Sequence, residues 1–214
     1  MAKKPDATGK AAKLDLTRLH KDEYVAPKEP VLIRCRKARY LAVTGKGAPG
    51  GEEFQTCIGA LYAIAYTVKM RRKLAGKGNY VMGKLEGQYW SADREGPCEI
   101  PPEQLEWRLL IRTPEVVGKS DLAAARRTLA ARGKDAGCER VELIDLGEGS
   151  CVQMLHVGPY EQERRTIDRM LAWATDQGWQ PAGRHHEIYL SDPRRVPPDR
   201  LRTILRMPVR KAGT

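Results

Sequence analysis

Apolar positions in this chain repeat at two spacings, and the spacing switches several times along its length. From about Glu52 to Met70, Phe54, Ile58, Leu61, Ala65 and Val68 recur at the interval of a helix turn, which predicts a long amphipathic helix. Tyr62 and Tyr66 fall on one face of it. Before it, Val31-Leu32-Ile33 and Tyr40-Leu41-Ala42-Val43 are apolar and rich in strand formers, with a short helix over 14–19 and two prolines, Pro27 and Pro30, on the approach. After it, Tyr80-Val81-Met82 and the segment through Tyr89-Trp90 read as extended, and Glu106 to Ile111 as a strand stopped by Thr113-Pro114. A second helix is expected from Asp121 to Ala131, capped by Ser120 or Asp121. Strands follow at Val141 to Leu146 and Cys151 to Val157. A helix runs from about Glu161 to Gln177, with Ile167, Met170, Leu171 and Ala174 as its buried stripe and Gly178 as its stop. Glu187 to Leu190 is a strand, Pro197-Pro198 opens a short helix, and Leu205 to Val209 is a last strand. Pro208 predicts an edge or an end for it.

Two stretches share an order. The first runs from strand Leu41-Ala42-Val43 through a glycine loop and a long helix to Glu86-Gly87-Gln88-Tyr89-Trp90. The second runs from strand Met154-Leu155-His156 through a Gly-Pro loop and a helix with Trp173 to Glu187-Ile188-Tyr189. Two pseudo-repeats, about 31–112 and 141–209, are expected to turn Glu86 and Glu187 towards one central groove. Strand alternation puts Glu187, Tyr189 and Ser191 on one face, and Glu86, Gln88 and Trp90 together on one face of theirs. Residues 1–13 read as a flexible Lys-rich tail and 14–214 as a single domain.

Composition narrows the function. The 214 residues are 41% hydrophobic and 30% charged, as a packed domain requires. No stretch approaches the about 20 apolar residues of a membrane span, and the N-terminus has no apolar run of a secretory signal. The cysteines Cys35, Cys57, Cys98, Cys138 and Cys151 are scattered, with no CxxC pair, so a reduced cytoplasmic protein without a disulfide framework is expected. A net charge of +11 raises nucleic acid as a partner. The charge is spread over the N-terminus, Met70-Arg71-Arg72-Lys73 and the C-terminal quarter, without a nucleic-acid-binding motif, and reads as a solvated surface.

Candidate chemistry concentrates in RHHEIYLSDP, residues 184–193. Adjacent strand residues point to opposite faces, so His185 and His186 make a poor chelating pair, and no metal or cofactor is assigned. Gly45-Lys46-Gly47-Ala48-Pro49-Gly50 matches GxGxxG, but the ribose-binding acid about 20 residues on is missing and Pro49 removes a backbone N–H, so it reads as a turn. No nucleophile motif is present. What remains is carboxylates among aromatics: Glu86, Tyr89, Trp90, Trp107, Glu187 and Tyr189, with Tyr62, Tyr66 and Tyr160. Eight tyrosines and four tryptophans against one phenylalanine favour amphipathic walls over a dry core. A carboxylate buried in such walls serves as a general base or acid, or as counter-charge to a cationic compound.

These residues carry a resemblance. Glu53-Phe54-Gln55 through Lys69-Met70, Leu85-Glu86-Gly87-Gln88-Tyr89-Trp90, His156-Val157-Gly158-Pro159-Tyr160 and His185-His186-Glu187-Ile188-Tyr189-Leu190-Ser191-Asp192-Pro193-Arg194-Arg195 resemble the GyrI-like small-molecule-binding family from about Asp15 to Val209. The family is similar to effector-binding domains of multidrug-sensing regulators. The resemblance implies two βαββ repeats about a pseudo-twofold axis, an antiparallel sheet and a ligand groove whose glutamate falls on Glu187. Standalone members include cyclopropanoid cyclopropyl hydrolases, which add water to the strained ring of DNA-alkylating compounds. On that reading Glu187 and Tyr189 are catalytic. Glu86, Tyr89, Trp90, Trp107, Tyr62, Tyr66, His156 and Tyr160 contact an aromatic or cationic ligand. The alternative is a binding or sequestering protein that leaves its ligand intact.

Overall fold

The computed structural model describes residues 13–91, 101 and 104–213; residues 1–12 of the Lys-rich tail and Cys98 lie outside the described residues. The elements are α1 Leu16–Leu19, α2 Lys21–Tyr24, β1 Val31–Cys35, β2 Ala38–Lys46, α3 Glu52–Leu74, β3 Leu85–Trp90, β4 Glu106–Thr113, α4 Lys119–Ala130, β5 Glu142–Leu146, β6 Gly149–Val157, α5 Glu163–Asp176, β7 Trp179–Pro181, β8 His185–Tyr189 and β9 Arg202–Lys211. This is the expected α+β class, with an antiparallel sheet.

The strand order is β1-β6-β9-β8-β3-β4-β2-β5, with β7 beside β9. Reading outward from the β3–β8 pair gives β3, β4, β2, β5 on one side and β8, β9, β6, β1 on the other. The edges are exchanged along the chain. β1 precedes β2 but pairs with β6, and β5 precedes β6 but pairs with β2. The two edge strands are thus each paired with a strand from the other end of the chain.

Alternation divides each strand between two faces. On one face Leu41, Val43, Trp107, Leu109 and Ile111 pack with Phe54, Leu61, Ile64 and Val68 of α3 and with Leu122 and Leu129 of α4. On the same face Val152, Met154, Leu205 and Met207 pack with Ile167, Met170 and Ala174 of α5. The other face is covered near its middle by the N-terminal segment, whose Tyr24 and Ala26 pack on Leu155, Ile188 and Ile204.

Local chemistry explains where boundaries moved. The second helix starts earlier than expected, with Gly118 as N-cap; Asp121 accepts from the Gly118 N–H at 3.0 Å and pairs with Arg72 at 2.7 Å. A 3-10 turn, Tyr160–Gln162, precedes α5, and the helix opened by Pro197-Pro198 is one 3-10 turn, Pro198–Arg200. The extended segment at Tyr80 makes a single parallel bridge to Leu14, and the Tyr80 ring enters the core. Pro208 lies inside β9, an interior strand, rather than at an edge. β8 pairs with β9 from Tyr189↔Thr203 to His186↔Arg206, and β7 begins at Pro181↔Val209. The missing N–H thus falls where the ladder changes partner.

Candidate active site

β3 and β8 lie side by side with Gly87 opposite Glu187 and Tyr89 opposite His185. These four residues share the helix-covered face. Over them, between α3 and the start of α5, is a cavity of about 1220 Å³. Tyr62, Tyr66, Phe54 and Ile58 of α3 line one side. Tyr160, Glu163 and Ile167 line the other, and Tyr89, His185, Glu187 and Tyr189 form the floor.

The floor is a connected polar cluster. Tyr189 donates to Glu187 Oε2 at 2.7 Å, and the Tyr89 and Tyr189 hydroxyls are hydrogen-bonded to each other. His185 Nε2 lies 3.2 Å from Glu187 Oε1. Tyr160 meets the Tyr189 ring edge-on, with centroids 5.9 Å apart. Gly87 makes this possible: a Cβ there would sit 2.8 Å from the Tyr89 ring and hydroxyl. The glycine lets that ring lie across its own strand and reach Tyr189.

Glu163 completes the cluster, and sequence reasoning missed it. It opens α5 and is 6% exposed. Burial and then the Glu187 charge push its carboxyl up to about 10, with a hydrogen bond to Glu187 adding to the effect. Its place in the first helical turn favours an anion by at most about 1 kcal/mol, whereas a shift of that size represents several kcal/mol, roughly 1.4 per unit. Among the described residues neither acid forms an ion pair with Lys or Arg, and Glu163 Oε1 finds no hydrogen-bond donor. Glu163 therefore keeps its proton at neutral pH. Burial followed by the Glu187 charge also holds Tyr89 and Tyr189 well above the usual phenol range, so both remain hydroxyl donors.

Of the residues singled out from sequence, Tyr62, Tyr66, Tyr89, Tyr160, Glu187 and Tyr189 line the cavity. Four stand elsewhere. Glu86 and Trp90 are on one face of β3, as alternation requires, but it is the face opposite the cavity; Tyr89 has the cavity side. Trp90 donates to Glu106, and the Arg184 guanidinium covers its ring at 3.5 Å from the centroid. Trp107 is fully buried against Phe54, edge-on at 5.0 Å, and donates to the Gly47 carbonyl at 3.1 Å. A Cβ on Gly45 would meet its ring at 2.2 Å, so the first glycine of the GxGxxG match serves this packing. His156 bonds Thr166 at 2.9 Å and lies 3.2 Å from the Pro159 carbonyl, bracing the turn that delivers Tyr160 and Glu163.

A GyrI-like small molecule binding domain matches residues 29–210. The chain belongs to this family. Among solved structures, this GyrI-like chain is similar to an uncharacterized conserved protein from Listeria innocua, with 37% identity, a TM-score of 0.86, and 92% of this chain and 100% of that one covered. A hydrolase from the same organism is similar at 35% identity and a TM-score of 0.83, with 92% and 100% covered. The C-terminal domain of EcmrR shares the fold alone, with 13% identity, a TM-score of 0.56, and 86% and 98% covered. No curated protein matches the chain.

The opposite face of this GyrI-like sheet carries a second buried polar cluster. His186 Nδ1 lies 2.9 and 3.0 Å from the two Glu148 oxygens, and its Nε2 lies 3.1 Å from Glu86 Oε2. Tyr24 donates to Glu86 at 2.7 Å, Gln88 to Glu148 at 2.9 Å, and Arg206 Nη1 lies 3.6 Å from Glu148. Burial opposes charge on His186, but Glu148 outweighs it with help from Glu86, and the imidazole is held up to about 9. Burial likewise opposes charge on Glu148; His186, Arg206 and Gln88 together hold it down to about 2. Glu148 and His186 thus hold each other charged, with Arg206 beside them.

Proposed function

We propose that the protein binds a flat, electrophilic organic compound in the cavity and hydrolyses it, opening a strained cyclopropane by adding water. The observation that carries this reading is Glu163, buried beside Glu187 beneath tyrosine walls, with its carboxyl pushed up to about 10 by burial and then by the Glu187 charge. Glu187 acts as general base: it takes a proton from water as the oxygen attacks a ring carbon. The ring C–C bond breaks and its electron pair passes into the conjugated system. Glu163, which carries the proton, delivers it to the anion that forms there. One proton is taken and one is given, so a single exchange between the carboxyls restores the pair. Tyr189 orients Glu187, and Tyr89 fixes Tyr189. Ring strain already lowers the barrier, so positioning and one acid–base pair suffice.

The likeness to a 35%-identical hydrolase supports catalysis. The family match supports a small organic ligand as the partner. We infer that the protein acts in the cytoplasm as a xenobiotic-detoxifying enzyme. The second reading rests on the same floor: Glu187 under aromatic walls also suits a cationic aromatic compound that is held without change.

One experiment separates the two. Purified protein is incubated with a cyclopropane-containing DNA-alkylating compound, and the compound is weighed by mass spectrometry. Hydrolysis adds the mass of one water, and Glu187→Gln slows this by about 10²–10⁴-fold while keeping ligand binding by titration calorimetry. An intact compound that still binds would transfer the assignment to the binding reading. Equal hydrolysis by both proteins would remove Glu187 from the mechanism.

A further inference from the structure

The back face holds a group of side chains that the cavity chemistry does not use. Cys35 stands at the end of β1 and Cys151 near the start of β6. In the β1–β6 ladder Cys35 is opposite Gly149 and Cys151 opposite Ile33, so the two thiols are diagonal neighbours on one face. Glu148, in the turn before β6, reaches the same point. One ligand atom from each of Cys35, Cys151 and Glu148 lies within 4.8 Å of the others. Glu148 and Cys151 are three residues apart, and the exchanged edge strand brings the distant Cys35 to them.

We propose that Cys35, Cys151 and Glu148 form a binding site for a thiophilic divalent metal ion, zinc by its chemistry, separate from the cavity. Two soft sulfurs and one carboxylate suit zinc and exclude calcium or magnesium as the preferred ion. Tetrahedral zinc, with bonds of about 2.3 Å to sulfur and about 2.0–2.2 Å to oxygen, holds such donors about 3.5 Å apart, within reach of small side-chain shifts here. The carboxylate is already oriented. His186 and Gln88 fix it at 2.9 Å, as outer partners do around zinc ligands.

The exchange is electrically balanced. Two thiols give up two protons as one divalent ion enters, so the site keeps the single negative charge of Glu148. Arg206 and His186 then face the same net charge with metal or without it. An approach path exists as well. Cys35 is 6% exposed, and the glycines flanking Glu148, Gly147 and Gly149, are open to solvent.

The test uses the full chain, reduced and freed of metal. Cobalt(II) is added first, then zinc. One equivalent of cobalt is expected to give a thiolate-to-cobalt charge-transfer band with tetrahedral d–d bands, both erased by zinc. Cys35→Ser abolishes the bands, Cys57→Ser keeps them, and Glu148→Gln weakens cobalt binding at least about tenfold. A measurement on the unmutated protein guards against variants that fail to fold: zinc should slow maleimide alkylation of Cys35 and Cys151 and leave Cys57 and Cys138 unaffected. Absence of the bands in the unmutated protein, bands that persist in Cys35→Ser, or alkylation of Cys35 and Cys151 indifferent to zinc would each overturn the proposal.

Discussion

On the helix-covered side of β8, Glu187 faces Glu163; on the other side, one residue earlier, His186 lies between Glu86 and Glu148. Both clusters are buried and both contain two carboxylates. Their neighbours differ. Behind the sheet, a histidine and an arginine compensate the acids, and Glu148 is held down to about 2. In the cavity burial and the second acid push Glu163 up to about 10. The first arrangement fixes charge and has no proton to exchange near neutrality. The second keeps a proton under a ligand-sized space. The same residue types thus make a structural brace or a reactive pair according to whether cations accompany them.

Breaking the brace should have the largest effect. Arg206 is 2% exposed, contacts Glu148 and Gln153, and donates to the Glu23 carbonyl. Arg206→Met is expected to lower stability by about 3–5 kcal/mol in urea melts, because Glu148 loses a buried counter-charge. Turnover per folded molecule should stay near that of the unmutated protein. A loss below about 1 kcal/mol would mean that the brace is not set by charge matching.

Replacing the reactive acid should have a smaller effect of opposite sign. Folded Glu163 keeps its proton up to about pH 10, while an unfolded glutamate releases it near pH 4.3. Between these values the folded state binds more protons, so its stability falls as pH rises, by up to about 1.4 kcal/mol per unit. Glu163→Gln mimics the protonated acid. It should flatten that slope and stabilise the protein on the order of 2 kcal/mol at pH 7 while reducing hydrolysis. Unchanged pH dependence of the melting temperature would contradict the proton assignment.

The smallest change is at Gly87. An added Cβ meets the Tyr89 ring at 2.8 Å, so Gly87→Ala should cost about 1–2 kcal/mol and displace Tyr89 from Tyr189. Weaker ligand binding by titration calorimetry in this variant, with the back face intact, would show that the tyrosine pair shapes the floor. Undiminished binding would argue that the ligand does not touch it.

Much of the fold was legible because its helices carry clear apolar stripes and its strands are bounded by Gly and Pro. Phe54 to Val68 and Ile167 to Ala174 marked α3 and α5 directly. Alternation grouped Glu187 with Tyr189, and Glu86 with Gln88 and Trp90. It did not say which face of β3 meets the cavity, because both faces are buried and polar residues stand on each. Trp107 looked like a wall because its partner Gly45 was read as part of a turn. Glu163 left no strong signal: it sits among Glu161, Gln162, Arg164 and Arg165, where a solvated helix start looks the same. Its burial depends on how α5 meets Thr203 and Glu187 across the sheet, which only the tertiary arrangement provides.

The central claim is that Glu163 in the cavity holds a proton at neutral pH and Glu148 on the back face does not. Difference infrared spectroscopy between unmutated protein and Glu163→Gln at pH 8 tests it directly. The account predicts a protonated-carboxyl C=O band in the unmutated protein that disappears in the variant. A spectrum showing only ionised carboxylates at that pH would contradict it, and with it the acid–base role of the pair.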